Sequence, residues 1–231
     1  PAPGPVSGSP CTISFYDGNP APTKFFDQPL GPIIDLGLAQ SHLNGEPSIV
    51  AVIDTGVDST HSLLAANTLP FGFDFITGQV GTADSPDGVD NDGDGLVDEA
   101  TGHGTHIAGT IVLINPGAKI LPLRVLDSDG NGDAFAVAQA IYYAIEHGAH
   151  VINLSLGMSA PSRAVSDALD FADKMEVEVY AAAGNTNSLL SQFPASHPWV
   201  LSVAAVDNFG VRAPFSTFGP TVGVSAPGVG I

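Results

Sequence analysis

The chain has 231 residues, of which 44% are hydrophobic, and its 24 acidic against 6 basic side chains give a formal net charge of −18. This length and apolar content are typical of one large globular domain with a packed core. The excess of negative charge argues against a nucleic-acid partner and against an anionic membrane surface. No stretch approaches the run of about 18 apolar residues that a membrane span needs.

The acidic balance leaves three explanations open, namely solubility, cation binding and a preference for basic substrates. Cys11 is the single cysteine, so the chain has no internal disulfide framework. It belongs to no Cys–His motif, and a cysteine-protease role is therefore not predicted.

Residues 1–32 are rich in Pro, Gly and Ser and predict an extended N-terminal arm or linker. Residues 33–231 predict one domain. The chain begins at Pro1 and shows no charged-then-apolar signal segment, so we expect a mature or excised piece and leave a propeptide upstream open.

Strand-like runs and helical patterns alternate through the predicted domain. This order predicts an α/β fold with a mostly parallel central sheet and helices on both faces. In such sheets the ligand crevice lies at the carboxyl ends of the strands. The predicted strands are Ile49–Ile53, Lys119–Val125, Val151–Ser155, Glu178–Ala183 and Val200–Val206, and the predicted helices are His103–Ile114, Ala134–His147 (followed by Gly148) and Arg163–Met175.

Two residues at the start of the domain predict part of a hydrolytic triad. Asp54 ends an apolar run and precedes Thr55-Gly56, and His103 lies between two glycines where a buried helix begins. A strand-end carboxylate can orient an imidazole that acts as a general base. Taken singly, Asp54 is also compatible with a turn, and His103 with a structural histidine. Asp58 is the competing carboxylate, in a polar turn.

Asn185 follows the run Ala181–Ala183 and Gly184, again where a predicted strand ends. A side-chain amide in this place can donate a hydrogen bond to the oxyanion of a tetrahedral intermediate. The alternative is an asparagine in a left-handed turn.

The segments Ile49–Gly56 and Gly102–Thr110 resemble the subtilisin-like serine proteases (subtilases). Phe193–Ala195, Phe215–Gly219 and Ala226–Val229 extend the resemblance to roughly residues 45–231. It implies a three-layer fold, a cleft for the residue before the cut bond, and a segment that pairs with extended substrate. The substrate-binding residues that it implies are Gly130 and Gly132 in the pairing segment, Ser155, Leu156 and Gly157 in the cleft, and Gln192 at the floor of the main specificity pocket.

The chain departs from the family at the nucleophile. In the family a serine in a Gly-Thr-Ser-Met-Ala type segment follows Ala-Pro-Gly-Val and opens a central helix, and no such segment occurs here. Ser155, Ser216 and Ser225 lie nearest in motif terms, but none sits in a strand-to-helix turn with small neighbours. We therefore expect a chain truncated before its nucleophile, without the C-terminal part of the fold and inactive alone. A calcium loop that interrupts the helix after the histidine in many relatives is also missing.

A second motif runs from Asp84 to Glu99. Its aspartates alternate before Gly95 as in the first half of an EF-hand loop, although Thr101 stands where the closing glutamate is expected and no helices flank it. The alternative is a solvated acidic turn, but mutual repulsion of so many carboxylates favours a cation. The sequence thus predicts a calcium site that helps to hold His103, with ligands Asp87, Asp90, Asp92, Asp94 and Asp98.

These features together predict a secreted, monomeric serine endopeptidase that acts on polypeptides through Asp54, His103, Asn185 and a serine beyond this chain. Two alternatives stay open. One is a non-catalytic calcium- or peptide-binding relative that lacks the nucleophile. The other is a hydrolase of a different ester or amide.

Overall fold

The computed structural model describes residues 34–42 and 47–230. The predicted N-terminal arm, residues 1–32, lies outside the described residues. The strands are β1 (Ile49–Asp54), β2 (Phe73–Asp74), β3 (Gln79–Val80), β4 (Lys119–Arg124), β5 (Val151–Leu154), β6 (Glu178–Ala182), β7 (Val200–Val206) and β8 (Val224–Pro227), and the helices are α1 (Leu36–Ser41), α2 (His103–Ile114), α3 (Ala134–Glu146) and α4 (Arg163–Lys174).

The described strands form one sheet in the order β3-β2-β4-β1-β5-β6-β7-β8. All neighbouring pairs are parallel except β2 with β3. The predicted α/β class with a mostly parallel sheet is therefore confirmed. The five predicted strands and three predicted helices all form, with ends that differ from the prediction by at most one residue.

Both faces of the sheet are covered by helices, which confirms the three predicted layers. In β1, Ala51 and Ile53 face the larger core with α3 and α4, whereas Val52 faces a smaller cluster with α2. All three side chains are fully buried. A strand covered on both faces has no polar side to present, which explains why β1 is an unbroken apolar run.

Local signals set the helix ends. The Asp133 carboxylate accepts hydrogen bonds from the backbone N–H groups of Phe135 and Ala136 and so caps α3. Gly148, with φ 74°, lies just beyond its C-terminus. Helix α2 runs without interruption from His103 to Ile114. The calcium loop that interrupts this helix in many subtilases is therefore absent from the described part of this chain.

The elements that the sequence did not predict are α1, β2, β3 and β8. Strands β2 and β3 have two residues each, too few for any periodic pattern to emerge. Strand β8 is a partly exposed edge strand that contains Pro227. No helix in the described ranges has the length and apolar character to cross a membrane.

Candidate active site

Asp54 and His103 meet at the carboxyl edge of the sheet. Asp54 is the fully buried last residue of β1, and His103 is the first residue of α2. The Nδ1 atom of His103 lies 2.7 Å from Oδ1 of Asp54, and the backbone N–H of Thr55 donates to the same oxygen at 2.7 Å. The His103 side chain is 40% exposed, so its ring is held on one side and accessible on the other.

The glycine that follows His103 permits this approach. A Cβ atom at Gly104 would overlap the carbonyl oxygen of Gly56 and would lie 3.1 Å from Cβ of Asp54. Helix α2 therefore begins in direct backbone contact with the turn that follows β1. Of the two glycines beside His103, Gly104 is the one whose position this close approach restricts to glycine.

The charges around His103 favour its protonated form. Burial disfavours the imidazolium, but the negative charge and hydrogen bond of Asp54, together with the charge of Asp84, outweigh burial and raise the pKa of His103 above its ordinary value. His106, one helical turn later, behaves oppositely. Burial and the neighbouring His103 lower the pKa of His106 to about 4. The two histidines therefore differ in charge over a wide pH range.

Asp84 is a second carboxylate at this corner, and its position was not predicted. The sequence placed it at the start of the acidic loop, yet it is only 6% exposed and contacts Thr55, Gly102 and Thr105. No local signal in the sequence marks it, because only the packing of Thr82 and Asp84 into the core separates this segment from the loop.

A groove of about 340 Å³ opens beside His103. One wall is the segment 130–134 and the other is the segment 155–158, beyond the end of β5. Five of the six predicted substrate-binding residues line it. They are Gly130, Gly132, Ser155, Leu156 and Gly157.

Gln192 and Asn185 lie outside the lining of this groove. The Gln192 amide oxygen packs against two glycines that follow strand ends. A Cβ atom on Gly157 would lie 2.6 Å from this oxygen, and a Cβ atom on Gly184 would lie 2.7 Å from it. Asn185 is exposed beyond β6, and its side chain makes no hydrogen bond to another described residue. The oxyanion role of Asn185 and the pocket-floor role of Gln192 stay predictions.

No serine in the described part of the chain hydrogen-bonds to His103. The Ser155 hydroxyl lines the groove and accepts a bond from Asn153 at 2.9 Å. Ser216 is 1% exposed and uses its hydroxyl to accept from the N–H of Ala205 and to donate to the carbonyl of Thr217. Ser225 lies on the edge strand β8. The structure therefore gives none of the three the contact that a nucleophile needs.

The acidic loop, residues 84–102, crosses the surface without helix or strand. It brings carboxylate oxygens of Asp90, Asp92 and Asp94 within 4.8 Å of one another. Asp87 and Asp98 point to other partners: Asp87 accepts from the Asn91 amide at 3.0 Å, and Asp98 accepts from the backbone N–H of Asp87 at 2.8 Å. Three of the five predicted metal ligands thus form one cluster.

Asp129 joins this loop to the groove. It is 8% exposed and accepts hydrogen bonds from the backbone N–H groups of Asn91 and Asp98. The N–H of Ala100 also donates to the carbonyl of Ser128 at 2.8 Å. Because Gly130 follows directly, the loop and one wall of the groove form a single hydrogen-bonded unit.

Most of the chain is similar to a known protein family. Residues 45–230 match the Peptidase_S8 profile, described as the subtilase family. The chain is 38% identical over 196 residues to a thermostable alkaline protease of Halalkalibacterium halodurans, covering 81% of this chain and 49% of that protein. It is 37% identical over 194 residues to thermitase of Thermoactinomyces vulgaris, covering 80% of this chain and 64% of thermitase.

Solved structures agree in fold. A protease structure from Pseudoalteromonas arctica superposes with a TM-score of 0.72 at 31% identity, covering 84% of this chain and 66% of that one. A cold-adapted subtilisin-like serine proteinase superposes with a TM-score of 0.68 at 27% identity, covering 81% of this chain and 65% of that one. The chain thus spans between about half and two thirds of the length of these relatives.

Proposed function

The chain belongs to the subtilase family, and we propose that it carries the Asp–His half of the catalytic site of a subtilisin-type serine endopeptidase. The observation that supports this most directly is the 2.7 Å contact between Oδ1 of Asp54 and Nδ1 of His103 beside an open groove. A buried carboxylate on one imidazole nitrogen, with the other side of the ring accessible, suits a histidine that exchanges protons with a substrate.

In the proposed mechanism Asp54 fixes the tautomer of His103 with the proton on Nδ1, which leaves Nε2 as the base. Nε2 takes the proton of a serine hydroxyl supplied from outside residues 1–231 as that oxygen attacks the peptide carbonyl carbon. Asp54 stabilises the imidazolium that forms. His103 then gives the proton to the leaving amine, and a water molecule repeats the sequence to release the acyl group.

The substrate in this proposal is an extended polypeptide. Its backbone would pair along Gly130–Gly132, and Ser155–Gly157 would form the opposite wall of the groove. Asn185 would donate its amide N–H to the oxyanion. Gln192, wedged between Gly157 and Gly184, would close the floor of the main specificity pocket. An open groove between two backbone segments accommodates an extended peptide more readily than a compact ester.

Calcium is the cofactor we propose for the acidic loop. The ligand chemistry fits, because Asp90, Asp92 and Asp94 offer carboxylate oxygens within 4.8 Å of one another. A bound calcium ion would neutralise part of this charge. Through Asp129, the protein would then hold the loop and the groove wall in one arrangement.

A second candidate function is a non-catalytic peptide-binding relative. It is favoured by one observation: within residues 34–42 and 47–230, His103 has no serine partner. Such a protein would keep the groove and the acidic loop and would bind peptides without cutting them.

Peptide hydrolysis by the protein that carries this chain, with all its flanking sequence, tests the proposal. We expect casein cleavage that a serine-directed inhibitor abolishes, that His103→Ala abolishes, and that Asp58→Asn leaves intact. Cleavage that resists the inhibitor would refute a serine nucleophile. A folded protein that binds peptides in the groove without cleaving them would establish the second candidate.

We also propose that the protein acts outside the cell as a monomer. An acidic surface with a net charge of −18 supports a dispersed, soluble protein. Recovery of the activity from culture medium, at the mass of one chain by light scattering, would support both statements. Activity retained in the cell, or a dimer mass, would contradict the corresponding one.

A further inference from the structure

Asp84 accepts four hydrogen bonds although it is almost completely buried. Its Oδ1 atom accepts from the Thr55 hydroxyl at 3.2 Å and from the backbone N–H of Gly102 at 2.9 Å. Its Oδ2 atom accepts from the backbone N–H of Thr105 at 3.1 Å and from the Thr105 hydroxyl at 2.6 Å. Every lone-pair direction of the carboxylate is thus occupied by a donor from the protein itself.

These donors belong to two elements that the active site must hold together. Thr55 follows β1, directly after Asp54, whereas Gly102 and Thr105 flank the start of α2 on either side of His103. Thr55 closes the arrangement, because its hydroxyl oxygen also accepts from the backbone N–H of Gly104 at 3.0 Å. Asp84 therefore connects the backbone on both sides of His103 to the residue next to Asp54.

The environment gives this carboxylate no cationic partner in the described structure. Desolvation is the largest influence on Asp84 and raises its pKa, while the hydrogen bonds from Thr105 and Gly102 act against that rise. A buried carboxylate that is held only by oriented N–H and O–H donors constrains the geometry of all of them, since releasing one donor leaves part of the charge unsolvated.

We propose that Asp84 is a positioning residue of the Asp54–His103 pair. It fixes the first turn of α2 against the end of β1 and thereby holds the imidazole of His103 on Oδ1 of Asp54. The importance of Asp84 for catalysis rests on the proposed endopeptidase function. Its effect on the position of His103 involves only residues of this chain and does not depend on that function. The charged and titratable groups that act on His103 are Asp54, Asp84 and His106.

An amide cannot replace this carboxylate without loss. Asp84→Asn keeps the shape of the side chain but turns one acceptor into an NH₂ donor. The new NH₂ group must face either the N–H and hydroxyl of Thr105 or the N–H of Gly102. Because two hydrogen-bond donors that face each other repel, either orientation destabilises the site. The substitution also removes one of the two negative charges that favour the His103 cation.

Imidazole NMR on the full 231-residue chain tests the proposal without requiring hydrolysis. The His103 signals are identified by their loss in His103→Gln. We expect Asp84→Asn to lower the His103 pKa, by less than Asp54→Asn does, and to accelerate solvent exchange of the Nδ1 proton about five- to tenfold. Asp74→Asn is the matched control, because Asp74 is equally buried at 6% exposed and accepts from two backbone N–H groups and from Arg124.

The control should leave both His103 signals unchanged even where it lowers the melting temperature. An Asp84→Asn chain that folds with unchanged His103 pKa and proton exchange would overturn the proposal. If Asp84→Asn does not fold, Thr105→Val and Thr105→Ser decide. Valine keeps the charge of Asp84 but removes its shortest donor and should accelerate the exchange, and serine should restore it. Equal exchange in both Thr105 variants would refute the positioning role.

Because these signals come from His103 itself, they report on Asp84 whether or not the protein cuts peptides. A protein that hydrolyses no peptide, yet shows the expected changes in the His103 pKa and in the exchange of its Nδ1 proton, would refute the endopeptidase proposal. The positioning role of Asp84 would remain supported.

Discussion

Two groups of carboxylates, one at the corner formed by β1 and α2 and one in the acidic loop, differ in the partners that the protein gives them. At the corner formed by β1 and α2, Asp54 and Asp84 are 0% and 6% exposed and accept hydrogen bonds from an imidazole, hydroxyls and backbone N–H groups. In the acidic loop, Asp90 is only partly buried and Asp92 and Asp94 are exposed, with their oxygens clustered and no Lys or Arg ion pair in the described structure.

The difference shows what each region requires. At the corner, fixed protein donors reach both oxygens of Asp84, whereas in Asp54 they reach only Oδ1 and Oδ2 is buried without a partner in the described structure. Because unsolvated charge is costly, changes at the corner should alter His103. The loop carboxylates of Asp90, Asp92 and Asp94 accept hydrogen bonds only from nearby backbone N–H groups of the loop and lie partly or fully open to water, so they remain able to accept a cation. Changes at the corner should therefore act directly on His103 and on folding, whereas changes in the loop should act through the cation response.

The largest effect is expected from Asp54→Asn in the full-length protein. Because the amide presents an N–H toward Nδ1 of His103 and favours the wrong tautomer, kcat should fall by about 10⁴-fold. Steady-state kinetics on a peptide substrate measure it. Asp58→Asn is the control, since the Asp58 carboxylate accepts from the N–H and hydroxyl of Thr60 and does not contact His103, and it should change kcat less than about twofold. Equal losses in the two variants would contradict the assignment of Asp54.

Gly104→Ala should produce the next largest effect, on stability. The added methyl overlaps the carbonyl oxygen of Gly56, and neither backbone can yield without moving α2. We expect a loss of about 3 kcal/mol in the free energy of unfolding, measured by urea denaturation. Gly37→Ala in α1 is the matched control, because nothing lies within 4 Å of its Cβ position. That variant should be neutral or slightly stabilising, and a Gly104→Ala chain as stable as Gly37→Ala would refute the tight contact.

Calcium should have a smaller and separable effect. At a free concentration ten times the dissociation constant, binding to the folded state adds about 1.4 kcal/mol, which raises the melting temperature by roughly 3–6 °C for a domain of this size. Asp92→Asn should abolish that rise with little change in chelator. Asp207→Asn, in an exposed turn where Asp207 accepts from Phe209 and Val211, should keep it. A calcium response that survives Asp92→Asn would exclude the cluster as the site.

The pH dependence of stability should show the smallest effect. The pKa of His103 is raised in the folded protein, so the stabilisation by its charged pair with Asp54 is fully present below the unfolded value of about 6.5 and is lost as pH rises through the folded value. Unfolding of wild type and His103→Gln across this range measures it, and a difference that grows with pH would contradict the sign. Catalysis should run oppositely, since Nε2 must be unprotonated to act as a base.

Much of the fold followed from short-range patterns. The apolar run of β1 and the capping aspartate of α3 each indicate their element within a few residues. Strands β2 and β3 were missed because two residues carry no periodicity. β3 pairs only with β2, and β2 pairs with the distant β4, where Phe73 lies opposite Leu123. Helix α1, half the length of α2, buries no residue and so left no amphipathic pattern.

The candidate site divides in the same way. Asp54 and His103 were found because each stands at the end of a strongly patterned element in a residue context typical of its chemistry. Asp84 was missed because nothing local distinguishes it from the aspartates that follow. Only the packing of the segment 82–84 under α2 separates it from the loop.

The sequence by itself indicated the parallel α/β sheet, the pair Asp54 and His103, and the acidic loop. These follow from periodicity, chain order and residue chemistry, which are local properties. The groove residues at 130–132 and 155–157 came instead from the resemblance to the subtilases. The tertiary structure decided which carboxylates are buried, that Asp84 rather than a loop aspartate supports His103, and that Asp129 ties the loop to the groove. Burial and hydrogen-bond partners depend on contacts between residues that are far apart in the chain. A local sequence pattern carries no information about which distant residues come into contact.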